Sequence, residues 1–164
     1  MSLLQSNLIF RTLKINVIEK IKERVLSGEI LEDILEAYDW RDFENFVREV
    51  LEAHSFKTYL HFRFKTKRKY EIDVLGKKSD LILLIDCKRL GRGRYKKSEL
   101  RKAVELQEER AKEFKKFFKD KLENRKICPL IVTLFEEDIL KEKNTFVLPV
   151  WKLNSFLLEI ENYL

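Results

Sequence analysis

Three features of the sequence predict an α/β fold built around a small mixed sheet. The hydrophobic period changes at Lys57, from the three-and-four spacing of helices to the alternation of strands. Leu81–Ile85 is an unbroken apolar run, the mark of a strand covered on both faces. A long amphipathic stretch over about 97–119 separates it from a second buried run at 127–135, as in a crossover between parallel strands.

The elements follow in order. Phe10, Leu13, Val17, Ile21 and Val25 recur at steps of three and four and predict a helix over 7–27, stopped at Gly28. Ile30, Leu31, Ile34 and Leu35 predict a second, short helix. Asp39 reads as the N-cap of a helix over about 40–55 that carries Phe43, Val47, Val50 and Leu51. Residues 57–65 and 69–75 alternate as strands about a turn at Lys67-Arg68, and a third strand spans 81–88. Short connections make these three antiparallel. The 97–119 helix has the inward stripe Leu100, Ala103, Val104, Gln107, Ala111, Phe114 and Phe118, and it returns the 127–135 strand parallel to 81–88. Pro129 is expected near the start of that strand, where it costs least. A short strand at 145–148 and a helix at about 151–163, with Leu153, Phe156, Leu157 and Ile160 inward, close the chain. One domain over 1–164 is expected, with a helical extension (1–38), a core (39–135) and a C-terminal strand and helix (136–164).

Composition narrows the class. A chain of 164 residues can bury a core without staples. Charged residues make up 38%, well above the roughly 25% of ordinary domains. Four Gly and two Pro are too few for a linker-rich or collagen-like chain. The longest uncharged stretch, Met1–Phe10, is half of the ~20 residues that a membrane span needs. It also lacks the basic start and cleavage site of a secretory leader, so a cytoplasmic protein without a membrane partner is expected. Cys87 and Cys128 form no zinc-spaced pair and are expected as reduced core thiols. The Lys- and Glu-rich composition, with two Gln, is like that of thermophile surfaces.

The net charge of +6 is concentrated. Arg89, Arg92, Arg94, Lys96, Lys97, Arg101 and Lys102 face Glu99 alone within one stretch. Such a run repels itself unless it meets an anion, and a polyphosphate is the obvious one. A solvated loop and helix start would account for it equally well.

The 81–88 strand puts Ile82, Leu84, Asp86 and Lys88 on one face and Leu83, Ile85 and Cys87 on the other. A carboxylate and an ammonium thus emerge together at the end of the most buried strand, where both need partners: each other, or surface groups. The neighbouring strand places Glu71 and Asp73 on one face, alternating with Tyr70, Ile72 and Val74. A hairpin partner can bring Asp73 beside Asp86, where two carboxylates raise each other's pKa unless a cation lies between them. A sparse carboxylate site completed by waters suits magnesium. Trp40, Glu44, Val47 and Leu51 recur at four, three and four, so Glu44 lies along an apolar face; the plainer reading is an acidic residue in a first helical turn. Gln107 is the single polar member of its stripe, as a satisfied core amide would also be.

Together these residues and this element order resemble the PD-(D/E)xK nuclease superfamily. The family's helical acid corresponds to Glu44 in Trp-Arg-Asp-Phe-Glu-Asn-Phe-Val, its second-strand Asp to Asp73 in Tyr-Glu-Ile-Asp-Val, and its (D/E)xK triplet to Asp86-Cys87-Lys88. Gln107 falls where several branches carry a polar residue. The resemblance covers roughly 40–135 and looks most like the Mrr-type and archaeal Holliday-junction-resolvase-like branches. Ile72 stands in place of the family's Pro, and Asp86 in place of the more frequent Glu.

The resemblance implies a restriction-endonuclease-like αβββαβ core and a Mg²⁺- or Mn²⁺-dependent endonuclease that hydrolyses DNA phosphodiester bonds, in repair or recombination. RNA is the alternative substrate. Asp73, Asp86 and the Cys87 carbonyl would ligate the metal, and Glu44 would reach it through water or help to form a second metal site. Lys88 would orient the attacking water and stabilise charge on the phosphate, with Gln107 behind them. Arg89, Arg92, Arg94, Lys96, Lys97 and Arg101, together with Arg63, Lys65, Lys67 and Arg68 on the hairpin, would grip the backbone. Such contacts position without reading sequence, so weak sequence dependence or a preference for DNA structure is expected. The rival expectations are a catalytically inactive nucleic-acid-binding module on the same fold, and a structural protein in which these residues form ordinary salt bridges. The helices within 1–38 are expected to cover the sheet's flank or to form a homodimer contact.

Overall fold

The computed structural model describes residues 19–90, 96–137 and 140–164. The chain divides into two compact units, Met1–Asp39 and Trp40–Leu164.

In the first unit, residues 19–26 are helical (α1) and Leu31–Glu36 form α2. The rest of the expected 7–27 helix lies outside the described residues. Helix α1 ends at Gly28, whose φ of +96° is a conformation that side chains resist. Gly28 N–H donates to the Val25 carbonyl (3.0 Å) and Glu29 N–H to the Arg24 carbonyl (3.1 Å), the paired bonds of a Schellman cap.

The second unit is α/β. Its elements are α3 (Trp40–Ala53), β1 (Lys57–Lys65), β2 (Lys69–Lys78), β3 (Leu81–Lys88), α4 (Lys96–Phe117), α5 (Lys119–Leu122), β4 (Lys126–Thr133), β5 (Lys141–Glu142), β6 (Thr145–Pro149) and α6 (Leu153–Leu158). Among the described residues the strands form one six-stranded mixed sheet of order β1-β2-β3-β4-β6-β5. The first three are antiparallel, and β4 runs parallel to β3 after the α4 crossover, as expected. The parallel pairing of β6 with β4, and β5 beside β6, complete the sheet. No helix among the described residues is long and apolar enough to cross a membrane.

The expected single C-terminal helix is instead α6 between two 3₁₀ turns, Val150–Lys152 and Ile160–Asn162. Val150, Leu153, Phe156, Leu157 and Ile160 are all buried, largely at steps of three. That spacing matches the 3.0-residue turn of a 3₁₀ helix better than an unbroken α-helix.

Pro129 also departs from expectation. It lies in the interior of β4, opposite Leu84 in the register with β3, and brings no N–H to the sheet. Close by, the Gln107 amide of α4 bridges the two strands: its Nε2 donates to the carbonyls of Leu84 (2.6 Å) and Leu130 (3.3 Å), one on each strand. The lone polar member of the α4 stripe therefore fastens the helix to the sheet.

Two apolar clusters flank Gln107. Leu100, Ala103 and Val104 of α4 pack with Ile131 and Val147. Further along, Ala111 and Phe114 pack with Ile82, Leu84, Leu75, Ile72, Tyr70 and Phe64. The second cluster exposes a break in strand alternation. Leu75 pairs with Leu84 and Ile72 with Phe62, so residues three apart on β2 share the α4 face. The partner strand matches, since Tyr59 and Phe62 meet edge to face at 6.4 Å. The alternation expected for Tyr70, Ile72 and Val74 therefore fails: Ile72 and Val74 lie on opposite faces. The break coincides with His61, which has a φ of +50° in the middle of β1.

On the other face, α3 packs over β2. A Cβ on Gly76 would lie 2.9 Å from Leu51 Cδ2 and 3.3 Å from Phe56 Cδ1, so the helix approaches this closely only because residue 76 has no side chain. Leu51 is fully buried and has little room to yield. Gly76→Ala is expected to destabilise the fold by about 1–3 kcal/mol through overpacking. Urea unfolding measures this, and an unchanged midpoint would mean that α3 is not pressed against β2 here.

Candidate active site

The registered pairing of β2 with β3 runs from Lys78↔Leu81 to Val74↔Ile85 and ends there. The β1–β2 pairing continues to Lys65↔Lys69, and the β3–β4 pairing to Lys88↔Thr133. The sheet therefore forks just where Asp73 and Asp86 stand. Past the last pair, Cys87 N–H donates to Asp73 Oδ2 at 2.8 Å.

Asp86 is 2% exposed and faces α4. Arg110 Nη1 donates to its Oδ1 at 2.7 Å, and Lys88 Nζ lies 2.8 Å from its Oδ2 without hydrogen-bond alignment. The expected pairing of Asp86 with Lys88 is present, and Arg110 is an addition. Arg110 Nη1 also donates to Gln107 Oε1 at 3.2 Å, so the amide that bridges β3 and β4 also steadies the guanidinium.

Glu44 enters from α3, on the buried face it shares with Phe43, Val47 and Leu51. Burial, followed by the charges of Asp73, Glu71 and Asp86, pushes its carboxyl up to about 7, and Lys88 opposes them. His61 Nε2 lies 3.4 Å from Glu44 Oε2, and its Nδ1 lies 3.2 Å from Glu71 Oε1. Arg63 Nε donates to Glu71 Oε2 at 2.6 Å and holds that carboxyl below its ordinary range. Trp40 meets the His61 ring edge-on at 5.9 Å. Burial and then the Asp86 charge raise Asp73. Burial also lifts the Cys87 thiol well above its usual value, which keeps it a protonated packing group.

Glu44, Asp73, Asp86 and Lys88 thus come together from α3, β2 and β3, as expected, with Gln107 behind Asp86. Sequence reasoning missed Arg110 and His61. Between the registered pairs Leu60↔Val74 and Phe62↔Ile72 the hairpin sets His61 beside Asp73, a signal the expected strand bounds contained, whereas Arg110, one turn beyond Gln107, carried none.

Among the described residues, no three His, Cys, Asp or Glu side chains form a ready-made metal-holding group. Magnesium needs less, taking one or two carboxylates and completing its shell with water and phosphate oxygens. Glu44 Oε2 and Asp86 Oδ2 are both buried acceptors without a hydrogen-bond partner, the kind of oxygen that a hard cation would satisfy. The donor set fits a sparse oxygen-ligated site.

The basic residues singled out in the sequence are less uniform. Lys65, Lys67 and Lys97 are exposed, and Arg89 is half-buried. Arg63 is engaged by Glu71; Arg68 pairs with Glu109 and lies 5.0 Å over the Tyr70 ring. Arg101 Nε lies 3.9 Å from Glu142 Oε2. Arg92, Arg94 and the Lys96 side chain lie outside the described residues.

The chain is 31% identical over 126 residues to an uncharacterised protein of Archaeoglobus fulgidus, a match spanning 76% of this chain and 94% of the relative. It belongs to one family with that archaeal protein. No protein-family model matches the chain. Among solved structures, it resembles the protein of unknown function AF1548 (18% identity, TM-score 0.44, 76% of this chain and 67% of that one). It also resembles the protein VC1899 from Vibrio cholerae (12% identity, TM-score 0.42, 80% of this chain and 35% of that one).

The Glu44 shift has a consequence for stability. Between 4.5 and about 7 the folded chain keeps a proton on Glu44 that the unfolded chain has lost, so stability from this residue falls as pH rises through that window. Below it both states are protonated, and above it the full penalty stands. In EDTA, Glu44→Gln is expected to melt above the parent at about pH 8, with the difference vanishing near pH 4. Scanning fluorimetry at both pH values checks this. A variant that melts at or below the parent at the higher pH would rule out the penalty from burial and neighbouring charge on Glu44.

Proposed function

We propose that this chain is a metal-dependent nuclease of the PD-(D/E)xK type, with a restriction-endonuclease-like core over residues 40–135, that hydrolyses DNA phosphodiester bonds. The observation that carries this reading is the meeting of Glu44, Asp73, Asp86 and Lys88 where β2 and β3 part. The order α3-β1-β2-β3-α4-β4 supports it.

Asp73 and Asp86, with the Cys87 carbonyl, would hold Mg²⁺ or Mn²⁺, and Glu44 would reach it through water. Bound there, the cation would polarise a phosphate oxygen and lower the pKa of the attacking water. The Cys87 N–H fixes Asp73, and Arg110 fixes Asp86, so both carboxylates are set before anything binds. Lys88 is one-third exposed and anchored beside Asp86, a position from which it can donate to the phosphate as negative charge builds. A Glu44 carboxyl near 7 can exchange protons near neutrality, as a group accepting the water's proton must. Exposed Lys65, Lys67 and Lys97 supply phosphate contacts that carry no sequence information.

One observation favours the second reading, an inactive binding module: Asp86 is already neutralised by two cations of its own chain. The test that separates them is cleavage of labelled single-stranded, duplex, flap and four-way-junction DNA, and of RNA, in Mg²⁺, Mn²⁺ or EDTA. Metal-dependent cutting is expected, reduced at least about 100-fold in Asp86→Ala and Lys88→Ala. Binding that persists without cutting in any metal would install the binding module instead.

A further inference from the structure

The nuclease reading above gives Arg110 one task, bracing Asp86. Its side chain is 21% exposed and lies 2.7 Å from Asp86 Oδ1. It is not free to swing, since Gln107 Oε1 accepts from the same Nη1 at 3.2 Å, and the Gln107 amide is fastened to the Leu84 and Leu130 carbonyls. Lys88, by contrast, is a flexible ammonium at the solvent side. The site thus contains one movable cation and one that is built in.

A buried carboxylate with no partner destabilises a fold strongly. A site that relied on metal to neutralise Asp86 would leave the metal-free chain with that penalty. Arg110 removes it, but the same fixed positive charge opposes any divalent cation that approaches Asp86.

We propose that Arg110 is a resident counter-ion and positioning residue that keeps Asp86 buried and paired without metal. It holds down the site's own affinity for a divalent cation, so the cation is taken up together with the substrate phosphate. This rests on the metal-dependent reading above. The phosphate supplies the negative charge that Arg110 has cancelled, and substrate and metal then bind better together than apart.

The test measures Mn²⁺ binding by calorimetry without DNA, in the parent chain, Arg110→Gln and Arg110→Lys. Arg110→Gln keeps a hydrogen-bond donor but removes the charge, and is expected to bind Mn²⁺ about ten-fold more tightly. Arg110→Lys retains the charge and is expected to match the parent. A residue that served only to brace Asp86 would give the opposite sign, and Mn²⁺ binding by Arg110→Gln that is no tighter than the parent's overturns the proposal. Should Arg110→Gln be unfolded in EDTA, circular dichroism during the Mn²⁺ titration replaces calorimetry; recovery of the fold supports the proposal, and failure to recover overturns it. Adding Asp86→Asn to each background locates the metal. Binding insensitive to that change, or absent from every variant, would remove the metal site itself and with it the nuclease reading.

Discussion

The parting of β2 from β3 after Val74↔Ile85 is the constraint on which the rest of this structure depends. Had the ladder continued, Asp73 and Asp86 would face each other as a directly opposed pair of like charges, which sheets disfavour. The strands separate instead. The change of phase at His61 turns Phe62, Phe64, Tyr70 and Ile72 onto the α4 face, where they pack on Phe114 and Phe118. That apolar packing holds the hairpin away from β3 and leaves the two carboxylates at the mouth of the fork. A positive φ at a residue other than Gly costs about 1 kcal/mol or more. Here the surrounding aromatic cluster and the His61 ring's contacts with Glu44 and Glu71 offset it.

Helix α4 serves as the complement of that fork. Its first turns pack on β4 and β6, its last turns on the displaced hairpin, and between them lie Gln107 and Arg110 beneath Asp86. The Gln107 amide reaches a carbonyl of β3 and one of β4, next to Pro129, which brings no N–H to the sheet. One side chain therefore satisfies the backbone and steadies the cation that faces Asp86. Glu44 comes from the opposite side, carried by a helix that can lie so low over β2 because residue 76 is Gly.

The elements and their order were legible in the sequence because they follow from hydrophobic period, and period survives almost any tertiary context. The site residues Glu44, Asp73, Asp86 and Lys88 were legible because each is a charge in an apolar pattern, and a buried charge needs a reason. The phase break was not legible. Residues 69–75 alternate without a visible defect, and the strain falls on His61, a residue type that tolerates positive φ better than most but whose presence in a strand does not announce it. Arg110 was hidden for a different reason. An arginine near the edge of a helical stripe reads as solvent-facing, and only the position of the α4 axis over β3 decides that its guanidinium meets Asp86. Pro129 lies one position deeper in its strand than expected, because hydrophobic period fixes a strand's existence better than its first residue.

Charge accounting at the fork shows why the site is poised rather than merely crowded. Glu44, Asp73 and Asp86 gather three carboxylates, while Lys88 and Arg110 bring two cations. One negative charge is left over. Both cations are spent on Asp86, so the excess falls on Glu44 and Asp73, the two carboxyls pushed upward. Without another cation, a proton is what can satisfy it, and Glu44 at about 7 holds that proton through most of the acidic range. A proton meets that deficit, and a bound cation, on the reading proposed above, would have to compete with it. Arg110 sets the size of that deficit: with it the site lacks one charge, and without it the site would lack two.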